Sequence, residues 1–214
     1  MGRRARGTSA GLDRARIAAA AVALVDRDGL ERFGVRRLAD ELGVDPMSIY
    51  HHVKGKAALL DAVSEAVLGE IVTHGSDDGS GDDDWQDVAR GLAHAYRDLA
   101  YRHPHVVPLL ATRAQTSPAA VSALESLVAA MRRAGLPDRV VADAPMVLFG
   151  FLNGHLLART AERPAAVPAF DAQDHPTMSA LAPRWDDFGS AAELDRMLDA
   201  LLAGLAQQAS AGTA

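Results

Sequence analysis

Two adjacent histidines and the only two lysines of the chain lie in one short stretch, YHHVKGK, at residues 50–56. Imidazole and ammonium groups can contact phosphates, bind metals or transfer protons. Apolar segments with helical spacing flank the stretch on both sides. The chemistry available to these side chains therefore depends on the helices that hold them.

Glycines divide the flanking sequence into short predicted helices. Gly29 ends a first helix, and Gly34 precedes a second over residues 35–42. Gly43 ends the second helix, and Asp45 can cap a third that begins with proline. A fourth helix follows. The residues expected to face inward are Ile17, Ala21, Leu24, Val25, Leu38, Ala39, Leu42, Ile49, Val53, Leu60, Val63, Val67 and Ile71.

The second and third helices form a candidate helix-turn-helix, in which the second member enters the DNA major groove. With Ile49 and Val53 facing inward, the opposite face presents side chains suited to phosphates, thymine methyl groups and base edges. Lys54 and Lys56 stand where a lysine and a helix N-terminus can together hold a phosphate. The outward set is Met47, Ser48, Tyr50 and His51, while His52 is either part of it or partly buried and structural.

Charge is distributed unevenly along the chain. Residues 1–56 contain 11 basic and 7 acidic residues, whereas the remainder contains 11 basic and 21 acidic residues. A basic N-terminal region on an acidic body indicates that only this region meets a polyanion, although chance clustering of surface charge would give the same totals.

The stretch LDRARIAAAAVALVDRDGLERFGVRRLADELGVDPMSIYHHVKGKAALLDAV resembles the N-terminal domain of the TetR family of bacterial transcriptional regulators. The form YHHVKGKAALLDAV is most similar to the tetracycline repressor subgroup. The resemblance implies an all-helical homodimer with a DNA-binding head and a larger body that binds a small molecule and dimerises. Most such proteins are repressors that their ligand releases from double-stranded operator DNA.

Position by position, the resemblance places Arg36 where the family's first motif helix touches DNA. It places Lys56 on a phosphate contact at the start of the fourth helix. Gly34 departs from the threonine common in the family, and Met47 is not a hydrogen-bonding base reader, so no operator sequence can be transferred. The recognition helix carries Pro46, Met47, Ser48, Tyr50, His51 and His52.

The rest of the chain shows helical periodicity and no alternating strand pattern, so the fold class is predicted to be all-α. Residues 163–188 contain four prolines and no clear period, which predicts a long loop with at most one helical turn. The predicted helices cover residues 85–102, 106–113, 118–134, 138–160 and 190–208. The expected domains are a disordered basic tail (1–11), a DNA-binding head (12–56), a connecting helix (57–75), an acidic loop (76–84) and a ligand-binding and dimerisation domain (85–214).

The segment 144–158 is apolar nearly all round. It is shorter than the roughly 20 residues that a bilayer crossing needs, so a buried helix is the better interpretation. Small residues spaced four apart allow close helix approach, either to a partner or within one chain. The predicted dimer interface is Val147, Gly150, Gly154, Ala158, Leu194, Leu198, Leu201 and Leu205.

The ligand cannot be transferred from the tetracycline repressors. A key histidine of that subgroup corresponds to Val72, and the one that holds the drug's magnesium ion is replaced near Leu109 and Leu110, which argues against a tetracycline–magnesium ligand. The face of the 138–160 helix opposite the glycines instead predicts a pocket for a flat, largely apolar organic effector, unless core side chains fill it. The residues expected there are His105, Leu110, Met131, Phe149, Leu152, Asn153 and Leu156.

Other classes of protein fit less well. The chain lacks a phosphate-binding loop, a G-x-S-x-G elbow and an H-E-x-x-H pair, so an enzyme is not expected. No cofactor or metal site is expected, because His103 and His105 lack a carboxylate partner at ligand spacing. A helical enzyme and a ligand-independent DNA-binding protein remain the alternatives, and a helical protein-interaction module would leave the basic head unexplained. The absence of cysteine fits the cytoplasm.

Overall fold

A computed structural model describes residues 11–75, 84–161 and 168–211 of the chain. The predicted basic tail lies outside these residues except for Gly11, and the acidic loop lies outside them except for Asp84. The side chain of Val72 and the first residues of the 163–188 segment also fall outside the described part.

The described residues form α-helices and one short 3₁₀ helix, with no strand among them, which confirms the all-α prediction. The segment predicted as a long loop contains the short helix α9 and the 3₁₀ helix. The helices are α1 (Arg14–Asp28), α2 (Val35–Leu42), α3 (Pro46–His52), α4 (Gly55–Gly75), α5 (Trp85–Arg102), α6 (Val107–Thr112), α7 (Pro118–Arg133), α8 (Asp138–Thr160), α9 (Pro176–Leu181), the 3₁₀ helix (Ala182–Trp185) and α10 (Ala191–Ala211).

Local caps set the helix boundaries near the N-terminus. The Asp13 carboxylate accepts a hydrogen bond from the backbone N–H of Arg16 at 2.7 Å, and that of Asp45 accepts from Met47 at 2.8 Å. Gly43 adopts the left-handed conformation (φ 66°) that ends α2 and turns the chain toward α3. Each carboxylate satisfies an N–H that the helix itself leaves without a partner.

One compact unit contains the described residues up to 75 together with residues 95–123. In it α1 packs on α2 and α4, α2 packs on α3, and α4 packs on α6. The inward residues predicted in this unit are buried, except that Leu42 and Leu60 are half-buried and Leu59 occupies the inner position of α4. The head is therefore held by contacts from beyond the 12–56 segment.

The second compact unit contains the described residues of 80–94 and 124–214, and in it α8 packs on α10. Leu148, Leu152 and Leu156 of α8 are fully buried. On α10, Leu194, Leu198 and Leu205 are also buried in the chain's own core, which corrects their assignment to a dimer interface. An inward-facing leucine has no surface left to offer a partner.

Helix α8 is also the one helix of the described residues that is long and apolar enough to cross a membrane. It has 23 residues and a mean hydropathy of 1.5 over its most apolar window. The segment 144–158, whose 15 residues are too few to cross a bilayer, is therefore only part of a longer helix. Length and composition alone are weak evidence, because the core helix of a globular protein passes the same test. The leucines Leu148, Leu152 and Leu156 are buried and α8 packs on α10, which fits a core helix.

Candidate nucleic-acid interface

Helix α3 has one buried face and one exposed face. Ile49 and the adjoining Val53 are 1% and 4% exposed, whereas Met47 and Tyr50 are 62% and 41% exposed. Burial of a large apolar side chain stabilises a protein, so the exposure of Met47 is unusual for a residue with a purely structural role. The outward face of α3 is therefore available for binding.

The remaining residues predicted to contact DNA lie on or beside this face. Pro46 and Ser48 are half-buried. His52 is exposed, so the alternative in which it is a buried structural histidine is wrong. The exposed members of the predicted set are Arg36, Met47, Tyr50, His51, His52, Lys54 and Lys56.

Ion pairs divide the basic residues of this unit into two groups. Arg27 pairs with Glu41 at 2.9 Å, and Arg37 pairs with Asp28 at 2.8 Å. The hydrogen bond from Arg27 holds the pKa of Glu41 below its ordinary value, and the same bond raises the pKa of Arg27. The charges of these two arginines are therefore balanced by carboxylates of the same unit.

Arg36, Lys54 and Lys56 form no ion pair with any described residue. Exposed cations without an internal counter-charge are the groups that release counter-ions when they meet phosphates. Arg16 and Arg32 are also exposed and form no ion pair within the described chain, and neither was among the residues predicted to contact DNA. The excess of basic over acidic residues in positions 1–56 was the sequence signal that could have identified them.

His103 and His105 both contact the end of α1. Nδ1 of His103 lies 2.7 Å from a carboxylate oxygen of Asp26, and its Nε2 lies 3.2 Å from Glu70 of α4. His105 donates from Nδ1 to the backbone carbonyl of Asp26 at 2.9 Å, which leaves Nε2 as the ring nitrogen that could reach a ligand. Both histidines thus bind α1 to the residues that follow α5.

The other residues predicted to bind an effector lie in two different units. Leu110 is buried in the first, and Met131, Leu152 and Leu156 are fully buried in the second. Phe149 and Asn153 are half-buried, and each forms contacts of its own. Within each unit, the leucines of the set and Met131 occupy core positions.

A cavity of about 620 Å³ lies elsewhere, among α1, α4 and the segment between α6 and α7. Its walls are Arg14, Asp61, Ser64, Glu65 and residues 112–118. None of the residues predicted to bind the effector lines it. The lining residues come from separate parts of the chain, so no local motif could have indicated the cavity.

The small-residue face of α8 is exposed in the single chain. Gly150 and Gly154 are exposed, and a Cβ at either glycine would meet no atom within 4 Å. The neighbouring Met146 and Val147 are 78% and 43% exposed, and Ala158 is half-buried. Packing within the described residues therefore gives no reason for a glycine at either position.

Two family models match the chain. Residues 17–63 match the model of bacterial regulatory proteins of the tetR family. Residues 79–208 match the model of the tetracyclin repressor-like C-terminal domain. Together the two matches cover the head, with α3, and most of the body.

Individual relatives agree over most of their length. The chain is 30% identical to the HTH-type transcriptional repressor DrrR1 of Streptomyces coeruleorubidus, over 97% of this chain and 84% of the relative. It is 32% identical to the class A tetracycline repressor from transposon 1721 of Escherichia coli, over 88% of each protein.

The fold is shared with the crystal structure of apo ActR from Streptomyces coelicolor, at a TM-score of 0.82 and 24% identity, over 96% of this chain and 100% of that one. With both family models matched in order, the chain belongs to the TetR family of bacterial regulatory proteins and is a DNA-binding transcriptional regulator.

Proposed function

We propose that this regulator is a repressor that binds a palindromic operator as a homodimer and is released by a small organic effector. The observation that carries the DNA-binding part is the exposed face of α3, flanked by Arg36, Lys54 and Lys56 without internal ion-pair partners. The repressor assignment is supported by the relative DrrR1, which is named as a transcriptional repressor.

On this proposal α3 enters the major groove. Met47 and His51 face base edges and set the sequence preference, while Tyr50 and Lys56 contact phosphates and set the register. A two-fold symmetric dimer then places its two recognition helices about 34 Å apart, or slightly more, to match one turn of B-DNA.

The proposed dimer interface uses the open face of α8, with Val147, Gly150, Gly154 and Ala158. From α10 it uses the border of the buried leucine face, where Leu201 is half-buried and Met197 is 39% exposed. Two such helices from each protomer would pair across a two-fold axis as a four-helix bundle. Of the four α10 leucines predicted at the interface, only Leu201 remains in it, because Leu194, Leu198 and Leu205 are buried in the core.

The proposed effector is largely apolar and contacts the members of the predicted set that lie in the second unit, Met131, Phe149, Leu152, Asn153 and Leu156. Its binding would tilt α4, which begins beside the phosphate-binding Lys56, and so change the spacing of the two heads. Effector and operator would then oppose each other by the same coupling free energy. Phe149→Ala should lower effector affinity with operator affinity nearly unchanged, and loss of operator binding without effector would make Phe149 a packing residue.

We also propose that the chain is not an enzyme and acts in the cytoplasm. Its family consists of soluble DNA-binding regulators, whose task requires access to the chromosome. Its own sequence lacks the phosphate-loop, nucleophile-elbow and zinc-protease motifs.

The experiment that tests the DNA-binding proposal measures operator affinity against salt concentration. The probe is a palindromic fragment selected by the purified protein from random DNA. Lys56→Ala should weaken binding across sequences and reduce the slope of log K against log salt by about 1 per subunit, because one phosphate contact is lost.

Arg133→Ala is the matched control, because Arg133 is an exposed arginine at the end of α7, far along the chain from the head. Its salt slope should equal that of the wild type. An unchanged slope in Lys56→Ala would show that Lys56 does not contact phosphate.

A further inference from the structure

The 620 Å³ cavity of the first unit has predominantly polar walls. Apart from Ala114 and Pro118, its lining residues carry charged, hydroxyl or amide side chains, and no aromatic ring is among them. Its volume lies in the range of small-molecule sites, roughly 300–1,000 Å³. Polar walls of this kind do not suit the flat, apolar effector proposed above, so this cavity requires a different ligand chemistry.

The charges in the cavity wall neutralise one another. Arg14 of α1 pairs with Glu65 of α4 at 3.0 Å. Arg113 pairs with Asp61 of α4, with Nε 3.0 Å from the carboxylate oxygen. Two cations facing two carboxylates leave no net charge for an ionic ligand to neutralise. A charged ligand would have to break an existing pair, whereas a neutral polar one would not.

Hydrogen-bonding capacity nevertheless remains in the wall. Each ion pair uses one carboxylate oxygen, so Oδ2 of Asp61 and Oε1 of Glu65 have no partner among the described residues. Gln115 uses its amide N–H groups on the carbonyls of Leu110 and Arg113, which leaves its side-chain oxygen as an acceptor. The wall therefore offers several acceptors close together, and a ligand with several O–H donors matches it.

Ser64 of α4 provides an independent observation. It lines the cavity, is only 4% exposed, and its hydroxyl has no hydrogen-bond partner within the described chain. A buried hydroxyl without a partner is unfavourable, and such a group in a native protein requires an explanation. The hydroxyl oxygen is itself shielded from solvent, so an occupant of the cavity reaches it after a small movement of the side chain and then supplies the missing partner.

We propose that this cavity binds a neutral, hydroxyl-rich molecule, a monosaccharide or the sugar part of a glycoside, as a second effector site. The site joins α1 and α4, which carry the DNA-binding head, to the segment between α6 and α7. Occupancy is thus coupled to operator affinity, and this last step rests on the DNA-binding function proposed above. Coupling free energies between such sites commonly change affinity by about 5- to 150-fold.

The test uses the full-length protein and a defined set of probes: D-glucose, D-galactose, L-rhamnose, their methyl glycosides and myo-inositol. Saturation-transfer NMR and calorimetry should detect binding of at least one of them at millimolar concentration or below. At saturation that probe should change operator affinity at least about 5-fold. Binding of none of the probes, or only of an amine such as putrescine, would overturn the assigned ligand class.

Ala114→Trp fills the cavity without removing any of its polar groups, and Ala134→Trp places the same ring on an exposed alanine beyond the end of α7. Binding of the probe should disappear in the first variant and persist in the second, and Ser64→Ala should weaken it several-fold. Equal binding by Ala114→Trp would place the site elsewhere.

Glycerol at equal concentration is the control for general stabilisation, which polyols cause because they are excluded from the protein surface. This effect should be the same in the wild type and all variants. Operator binding without added sugar is measured in each protein. A failure there refutes the DNA-binding proposal, whereas sugar binding without any change in operator affinity refutes only the coupling.

Discussion

Replacement of Arg159 by methionine should destabilise the second unit more than any surface substitution. Arg159 and Glu193 are 9% and 5% exposed, and both carboxylate oxygens of Glu193 lie 3.0 Å from Nη2 of the arginine. The guanidinium also lies 3.6 Å above the ring of Phe188. The pair ties the end of α8 to the start of α10.

The magnitude follows from what the substitution leaves behind. In Arg159→Met the Glu193 carboxylate stays buried and keeps only the backbone N–H of Gly189, at 2.7 Å, as a donor. Removal of one partner of a buried ion pair costs about 3–5 kcal/mol, because the remaining charge is uncompensated. For a chain of this length a loss of about 4 kcal/mol lowers Tm by roughly 8–16 °C.

The double variant Arg159→Met/Glu193→Gln separates two contributions to the free energy of unfolding. One is the lost attraction of the ion pair, and the other is the cost of a buried carboxylate without a cation. Glutamine keeps an oxygen for the Gly189 N–H and carries no charge, so the double variant should be more stable than Arg159→Met alone. Urea unfolding followed by circular dichroism, at one protein concentration for all variants, measures each free energy of unfolding. A loss below about 1 kcal/mol in Arg159→Met, or strictly additive effects, would refute the reasoning.

Three further predictions concern other regions. Gly154→Leu should keep its helicity but lose dimerisation in sedimentation, since its Cβ has no neighbour within 4 Å in the chain; a fully dimeric variant would contradict the proposed interface. Asp45→Ala should lose about 1 kcal/mol of stability in urea unfolding, because the cap on Met47 N–H disappears, and no loss would mean that Pro46 alone starts α3. In an NMR titration the pKa of Glu41 should lie below 4.5 and return toward that value in Arg27→Gln, and an unchanged value in the variant would show that Arg27 is not its cause. Because the folded pKa is the lower one, this carboxylate stabilises the fold above pH 4.5, and that contribution is lost as pH falls through the folded value.

Most helix boundaries could be predicted because their causes are local. Gly29, Gly43, Asp45 and the prolines act within one turn of their own position, so α2 begins and ends where the sequence predicts. The spacing of Ile49 and Val53 likewise separates the buried face of α3 from its exposed face, and it predicted the exposed Met47 and Tyr50. The candidate DNA-binding site was readable from sequence because one short continuous segment carries nearly all of it.

Helical spacing alone could not assign every inward position. It gave Leu60 for the inner face of α4 where Leu59 is buried, because neighbouring leucines differ by only about 100° around the axis. It grouped Leu194, Leu198 and Leu205 correctly on one face of α10 but could not tell an intramolecular core from a dimer interface. Both environments are apolar, so the same sequence pattern satisfies either.

The sequence by itself determined the helices other than α9 and the 3₁₀ helix, their order and the exposed face of α3, since these depend on residues a few positions apart. The tertiary structure decided the contacts between distant residues. It placed His103 against Asp26, 77 positions earlier, and buried Arg159 against Glu193, 34 positions later. It also assembled the polar cavity from α1, α4 and residues 112–118. The physical reason is that local caps and periodicity fix each helix, whereas only packing decides which faces meet.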